Sequence, residues 1–363
     1  MTRLNAGLIL IRKSLIVVCV LLSLPLYAAT DAVILMYHNV SDDTPLSTSV
    51  TPETFKNHMQ YLAENNFTIW PLSKALSNLK AGRSVPEKTV VISFDDASRS
   101  VYTEAFPVLK SKGWPFTLFV TTRYVNDGYG SFMTWDQLRE VEDYGAEVGN
   151  HSNTHPHFIR KQIDETDDQW RFRIAAEINE AQTILDKQLE RPIKVLAYPY
   201  GEYNREIKQL VSELGLIGLG QHSGAVSQLS DFQALPRFSI ATGFDGLDSF
   251  AIKTQAQNLP VTVLSPLDGI VQKGSQIPEL NLRLEEGDYK KELFSCYGSG
   301  QGRIRVSWVD KSRNLVNVVA NQPIQPGRSK YNCTAPSRSK SGVYYWFSFL
   351  WIKPEADGSW YQE

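Results

Sequence analysis

From Ala32 to about Gln257 the sequence alternates short apolar runs with amphipathic stretches, and this alternation narrows the possible folds more than any other feature. Val33-Ile34-Leu35-Met36, Val90-Val91-Ile92, Phe116 to Val120 and Val195-Leu196-Ala197 read as strands buried on both faces, as parallel strands are. Between them, Phe55, Met59 and Leu62 recur at spacings of four and three, and Ile174, Ile178, Ala181 and Leu185 repeat the pattern on a longer segment. Each stripe predicts a helix packed on a sheet, with His58 assigned to the exposed face of the first. The expected fold class is α/β, with parallel strands joined by helices.

Near Asn258-Leu259-Pro260 the character changes. Helical stripes give way to short β-rich segments punctuated by Gly and Pro: Val261 to Leu264, Arg303 to Val309, Leu315 to Ala320 and Val343 to Ile352. They predict a small C-terminal β-sandwich, so the chain divides into residues 1–29, 30–257 and 258–363. The last strand carries the aromatic run from Tyr344 to Trp351, read as core filling between two sheets, with stacking on sugar rings as the alternative.

Arg3, Arg12 and Lys13 precede an apolar run, Leu15 to Leu26, and then Tyr27-Ala28-Ala29, the three-part layout of a secretory signal. The run is shorter than the roughly 20 residues a spanning helix needs, and Pro25 interrupts it, which favours cleavage near Ala28 or Ala29 over an uncleaved anchor. The expected location is periplasmic or secreted, with no membrane span after cleavage. Without Cys19 in the signal, Cys296 and Cys333 remain as an even pair; a disulfide is expected, against the alternative of two buried thiols. A net charge of −2 argues against nucleic acid or an anionic membrane surface as partner.

Two constellations carry chemistry. Val90 to Phe94 runs into Asp95-Asp96, adjacent carboxylates at a strand's C-terminal end, where β/α folds assemble their sites; the bland alternative is a helix cap. His151 and His155 are four residues apart, and Pro156 disfavours helix at His155, so a loop or single turn is expected there. Two imidazoles and a carboxylate make a common set of ligands for a divalent ion with open positions. The alternative is a pair of solvated loop histidines, which is the reading given to His157.

Ser93-Phe94-Asp95-Asp96, His151-Ser152-Asn153-Thr154-His155 and Ala197-Tyr198-Pro199-Tyr200-Gly201 occur in an order that resembles the polysaccharide deacetylases with a NodB-type domain, carbohydrate esterase family 4. The resemblance covers about Ala32 to Ala251. It implies a distorted (β/α) barrel in which Asp96, His151 and His155 hold zinc, or cobalt or nickel, while Asp95 is the general base and the Tyr200 backbone N–H meets the oxyanion. The implied reaction is hydrolysis of N-acetyl groups on an amino-sugar polysaccharide.

The chain departs from the usual family pattern twice. No Leu-x-His motif follows Tyr200; instead Met36-Tyr37-His38-Asn39-Val40 resembles the circularly shifted arrangement of biofilm poly-N-acetylglucosamine deacetylases, which makes His38 the candidate general acid. Ala197 stands where relatives carry an arginine, and Arg237 is either the cation that replaces it beside Asp95 or an ordinary surface arginine. His222 and Asp231 precede Arg237 in a loop with no role fixed locally. Two alternatives keep part of this reading: an O-acetyl esterase using the same site, and a non-catalytic carbohydrate-binding protein. The C-terminal part could bind polymer, contact a partner in an export machine or shield one side of the barrel.

Overall fold

The structure is a computed structural model that describes residues 28–272 and 277–362. The segment read as an export signal, through Tyr27, lies outside the described residues. Ala28 and Ala29, where cleavage is expected, pair antiparallel with Pro86 and Val85.

Six strands lie side by side in parallel, in the order Ile217–Leu219, Val195–Ala197, Glu147–Asn150, Thr117–Val120, Thr89–Phe94 and Asp31–Tyr37. Leu235 then bridges to Leu219, while Phe238 and Ser239 pair with Leu35 and Met36, so the chain from 235 to 239 links the last strand of this path to the first. All six residues of Thr89–Phe94 are buried, as expected of a parallel strand covered on both faces. Alternate residues enter different cores. Val33, Leu35 and Tyr37 pack with Phe55, Met59 and Leu62 of helix Pro52–Glu64, whereas Ala32 and Ile34 meet Val91, Phe119, Leu219 and helix Leu72–Lys80.

Local sequence starts the helices where it should. Thr134 and Thr166 each form a capping box with the glutamine three residues on, opening helices Trp135–Tyr144 and Asp167–Gln188. The apolar stripe Ile174, Ile178, Ala181 and Leu185 is buried on the second of these. His58 contradicts its reading as an exposed residue: it is 1% exposed, bonded to the Tyr37 hydroxyl and the Asp245 carbonyl, and stacked on Phe250 at 4.0 Å. Its position at i+3 from Phe55 puts it on the buried face.

From Gln257 onward the strands follow one hydrogen-bonded path: Gln257–Asn258, Tyr344–Lys353, Gly327–Pro336, Ser295–Gly298, Gly302–Asp310, Leu315–Val319, Glu279–Leu284 and Val261–Ser265. Gly302–Asp310 pairs through its first residues with Ser295–Gly298 and from Arg305 onward with Leu315–Val319, joining the two halves of the path. Cys296 and Cys333 face each other across adjacent antiparallel strands and are joined by a disulfide. The aromatic strand Tyr344–Lys353 serves two cores. Tyr345, Phe347, Phe349 and Trp351 pack within the C-terminal half, while Trp346 meets Phe238 of the parallel half edge-on at 5.1 Å. Among the described residues no helix is long and apolar enough to cross a membrane.

Candidate active site

The parallel ladder continues one residue past Phe94, since Asp95 N donates to Tyr37 O at 2.9 Å. The next two residues, Asp96 and Ala97, then adopt left-handed backbone with φ of 69° and 54°. Such a conformation costs a non-glycine residue about 1–3 kcal/mol and persists only where the surroundings enforce it. Here it turns the chain at the strand end, between the fully buried Asp95 and the partly exposed Asp96. Neither carboxylate caps the helical segment that follows, whose N-cap is Ser100.

Asp95 is fully buried and paired with Arg237, also fully buried. The guanidinium donates Nη1 to Oδ1 at 2.6 Å and Nη2 to Oδ2 at 2.8 Å, while its Nε donates to Gly220 O at 2.9 Å. This planar two-point contact is one that lysine cannot reproduce. Burial pushes the Asp95 carboxyl upward, but the charges of Arg237, His151 and His38 outweigh it and hold the group below the usual carboxylate range. His38 follows strand Asp31–Tyr37 and brings Nε2 to 4.0 Å from Asp95 Oδ2. The surface alternative for Arg237 is thereby excluded.

On the other side of the Asp95-Asp96 step lie the two histidines. His151 N donates to Val120 O at 3.1 Å, continuing the ladder past Asn150. His151 Nδ1 is 2.8 Å from Ala197 O; a carbonyl only accepts, so Nδ1 carries a proton and Nε2 is the ring nitrogen that faces Asp96. That Nε2 is buried without a hydrogen-bond partner and lies 3.3 Å from Asp96 Oδ1. The loop beyond is not helical: Ser152 and His155 have φ of 65° and 58°, and Ser152 Oγ accepts from His155 N at 2.9 Å. His155 Nε2 thereby reaches 3.7 Å from the same Asp96 oxygen. Burial, reinforced by His151, pushes His155 down to about 4, leaving a neutral imidazole at pH 7.

Donor atoms of Asp96, His151 and His155 all lie within 4.8 Å of one another. An ion about 2.0–2.1 Å from each donor would set them roughly 3.0–3.5 Å apart, so only small adjustments separate this cluster from a divalent-metal site. Buried His151 Nε2, without a hydrogen-bond partner, fits the same conclusion, since an unsatisfied buried polar atom calls for a partner.

Tyr200 sits in the Pro199–Gly201 turn with φ 58° and ψ 4°. Its ring meets His155 at 4.5 Å between centroids. Gly201 has φ 69°, and a Cβ there would approach the Gln221 side chain to 2.5 Å, so both backbone and space require glycine. His157, read as exposed, is instead stacked flat on Tyr200 at 3.8 Å, and its Nδ1 bonds Glu202 at 2.8 Å. The reading failed because the partners of His157 lie more than forty residues away in sequence. His222 is buried, and burial, with the charge of Lys330, pushes it down to about 3. Together with Asp231, which pairs with Lys208, it lines a cavity of about 480 Å³ between the two halves that none of the carboxylate and histidine residues above lines. Glu202, Arg328 and Tyr361 also surround the Tyr200 turn and were missed; only the position of Glu202 just after Tyr200-Gly201 offered a signal.

Residues 82–218 match the polysaccharide deacetylase family model, a span that includes Asp95, Asp96, His151, His155 and Tyr200 and leaves out His38 and Arg237. The chain is 22% identical over 355 residues to poly-beta-1,6-N-acetyl-D-glucosamine N-deacetylase of Escherichia coli K12, in an alignment covering 80% of this chain and 53% of that protein. It thus spans about half the length of that relative. The Staphylococcus epidermidis protein of the same name is 26% identical over 235 residues, covering 59% of this chain and 81% of its own. Among solved structures, IcaB from Ammonifex degensii superposes with a TM-score of 0.55 at 24% identity, covering 62% of this chain and 98% of that one, a likeness of fold. The family match lies over the clustered acids and histidines, so residues 82–218 are similar to a polysaccharide deacetylase domain across the candidate site.

Proposed function

We propose that the protein is a metal-dependent hydrolase of N-acetyl groups on an amino-sugar polysaccharide, with a poly-N-acetylglucosamine-like polymer as substrate. The observation that carries this reading is the placement of an arginine-held carboxylate, Asp95, beside the Asp96, His151 and His155 cluster. The names of the Escherichia and Staphylococcus relatives support the choice of polymer. The domain is read as a distorted (β/α) barrel over residues 30–257 and the remainder, 258–363, as a β-sandwich. A disulfide between Cys296 and Cys333 suits an oxidising compartment, which supports a periplasmic or secreted location. The outer surface of the C-terminal strands is where a partner in an export machine would sit.

Asp96, His151 and His155 would hold the ion, zinc being our first choice and cobalt or nickel alternatives. When bound, such an ion polarises the acetamide carbonyl and makes a water acidic enough to attack near neutral pH. Asp95 accepts the proton of the attacking water. Arg237 keeps Asp95 ionised and aims it, at the expense of proton affinity, so the water must be acidified for the transfer to succeed. The Tyr200 backbone N–H donates to the oxygen that gains charge in the tetrahedral transition state. His38 protonates the departing nitrogen as the C–N bond breaks, giving acetate and a free amine. His38 Nε2 lies 4.0 Å from Asp95 Oδ2, beyond hydrogen-bonding distance, so the acid and the base do not tie each other up.

The direct test is acetate release from β-1,6-linked N-acetylglucosamine oligomers and, in parallel, from acetylated xylan. The protein would be stripped with chelator and resupplied with zinc, cobalt or nickel. Release from the amino sugar that depends on restored metal is the expected result; release from xylan alone would replace the amide reading with an ester one.

A further inference from the structure

Glu202, one residue past the Pro199–Gly201 turn, carries a fully buried carboxylate. Burying a charge is costly unless it is paired and hydrogen-bonded. His157 Nδ1 bonds it at 2.8 Å from within the parallel half of the molecule. Two further donors come from the C-terminal half: Arg328 Nη1 at 3.3 Å, from strand Gly327–Pro336, and the Tyr361 hydroxyl, from the tail after the last strand.

His157 and Arg328 also meet the Tyr200 ring. The His157 ring lies parallel to the Tyr200 ring, 6° off, and the Arg328 guanidinium is 5.4 Å from the Tyr200 centroid. A second row of contacts backs the first. Arg160 Nη1 donates to Tyr361 O at 3.0 Å, and Lys330 Nζ donates at 2.6 Å to the carbonyl of Gln221, whose side chain closes on Gly201. Tyr200 occupies left-handed backbone, which a tyrosine keeps only when its surroundings over-determine it.

We propose that Arg328 and Tyr361, acting through Glu202 and His157, are positioning residues that hold the Tyr200 turn in its working conformation. The C-terminal half is then a structural part of the active site and not an appended module. The inference rests on the reading of Tyr200 as the oxyanion donor. A donor held off its line loses transition-state stabilisation while substrate binding changes little.

The test uses the full chain with Arg328→Met, Arg328→Lys and Tyr361→Phe, read by steady-state kinetics, zinc calorimetry and hydrogen exchange over residues 198–203. Arg328→Met is expected to lower kcat about tenfold, a fraction of what loss of a whole oxyanion donor costs. KM should stay within about twofold, zinc affinity should be unchanged and exchange in the 198–203 segment should quicken. Arg328→Lys should restore part of the loss, and Tyr361→Phe, which deletes a single hydroxyl, should show the same pattern more weakly even if Arg328→Met fails to fold. Unchanged exchange in this segment in the variants would overturn the positioning role whatever the reaction proves to be. Raised KM at constant kcat would also overturn it, by making Arg328 a substrate contact. Quickened exchange in a protein that releases no acetate from any substrate supports the positioning and overturns the proposed reaction instead.

Discussion

The two sides of the site are built on opposite terms although they start from adjacent residues. Asp95 and Arg237 are both fully buried and satisfy each other, whereas Asp96 and His155 keep 29% and 15% of their side chains exposed, and His151 Nε2 has no hydrogen-bond partner. One side is finished: its charge is matched and its geometry fixed by two parallel hydrogen bonds. The other brings donor atoms of Asp96, His151 and His155 within 4.8 Å of one another. Low dielectric makes a satisfied pair rigid and an unsatisfied donor set ready to bind, so the left-handed backbone at Asp96 and Ala97 separates an arginine-held carboxylate from a candidate ion site.

Substitutions can break this contrast. The largest effect is expected at the open side, where Asp96→Ala or His151→Ala should abolish both metal binding and turnover; retention of stoichiometric zinc by calorimetry would remove either residue from the ligand set. Next, Asp95→Asn should keep the metal and lower kcat by about 10²–10⁴-fold, the range for a general base. If turnover survives, the proton goes elsewhere. His38→Gln should leave zinc in place and slow the reaction by about 10²-fold, the lower part of the same range, with substrates bearing a better leaving group recovering rate. Metal loss in that variant would make His38 a ligand.

The smallest expected effect is on stability against pH. Asp95 is held below its ordinary value when folded, so it stabilises the fold above the unfolded pKa of about 3.9, and the contribution is lost as pH falls through the folded value. The stability difference between the wild type and Asp95→Asn, measured by urea unfolding, should shrink between pH 7 and pH 3. A difference independent of pH would mean that the Arg237 pair contributes through shape and not through charge.

Much of this was legible beforehand because the information is local. A strand covered on both faces must be largely apolar, which Val90-Val91-Ile92 states in three residues, and the stripe of Ile174, Ile178, Ala181 and Leu185 marks the buried face of a helix. The approach of Asp96, His151 and His155 followed from the family resemblance, strand-end position alone having suggested only that carboxylates and histidines gather there. His58 could have been read better: it shares the i, i+3, i+4, i+7 stripe with Phe55, Met59 and Leu62 and is buried with them. His157 could not, since its surroundings are Tyr200, Glu202 and, through Glu202, the distant Arg328 and Tyr361.

The sequence by itself determined the alternation of buried strands with helical stripes, the β-rich character of the later segments and the residue types able to bind an ion and move a proton, because periodicity and strand-end position depend on near neighbours. Tertiary structure alone decided whether Arg237 was a surface arginine or the partner of Asp95, 142 residues earlier. It also decided which face of strand Tyr344–Lys353 meets the parallel half, and that Arg328 and Tyr361 surround Glu202. The physical reason is that a buried charge must find its counter-charge wherever folding brings one, and chain spacing carries no record of that encounter.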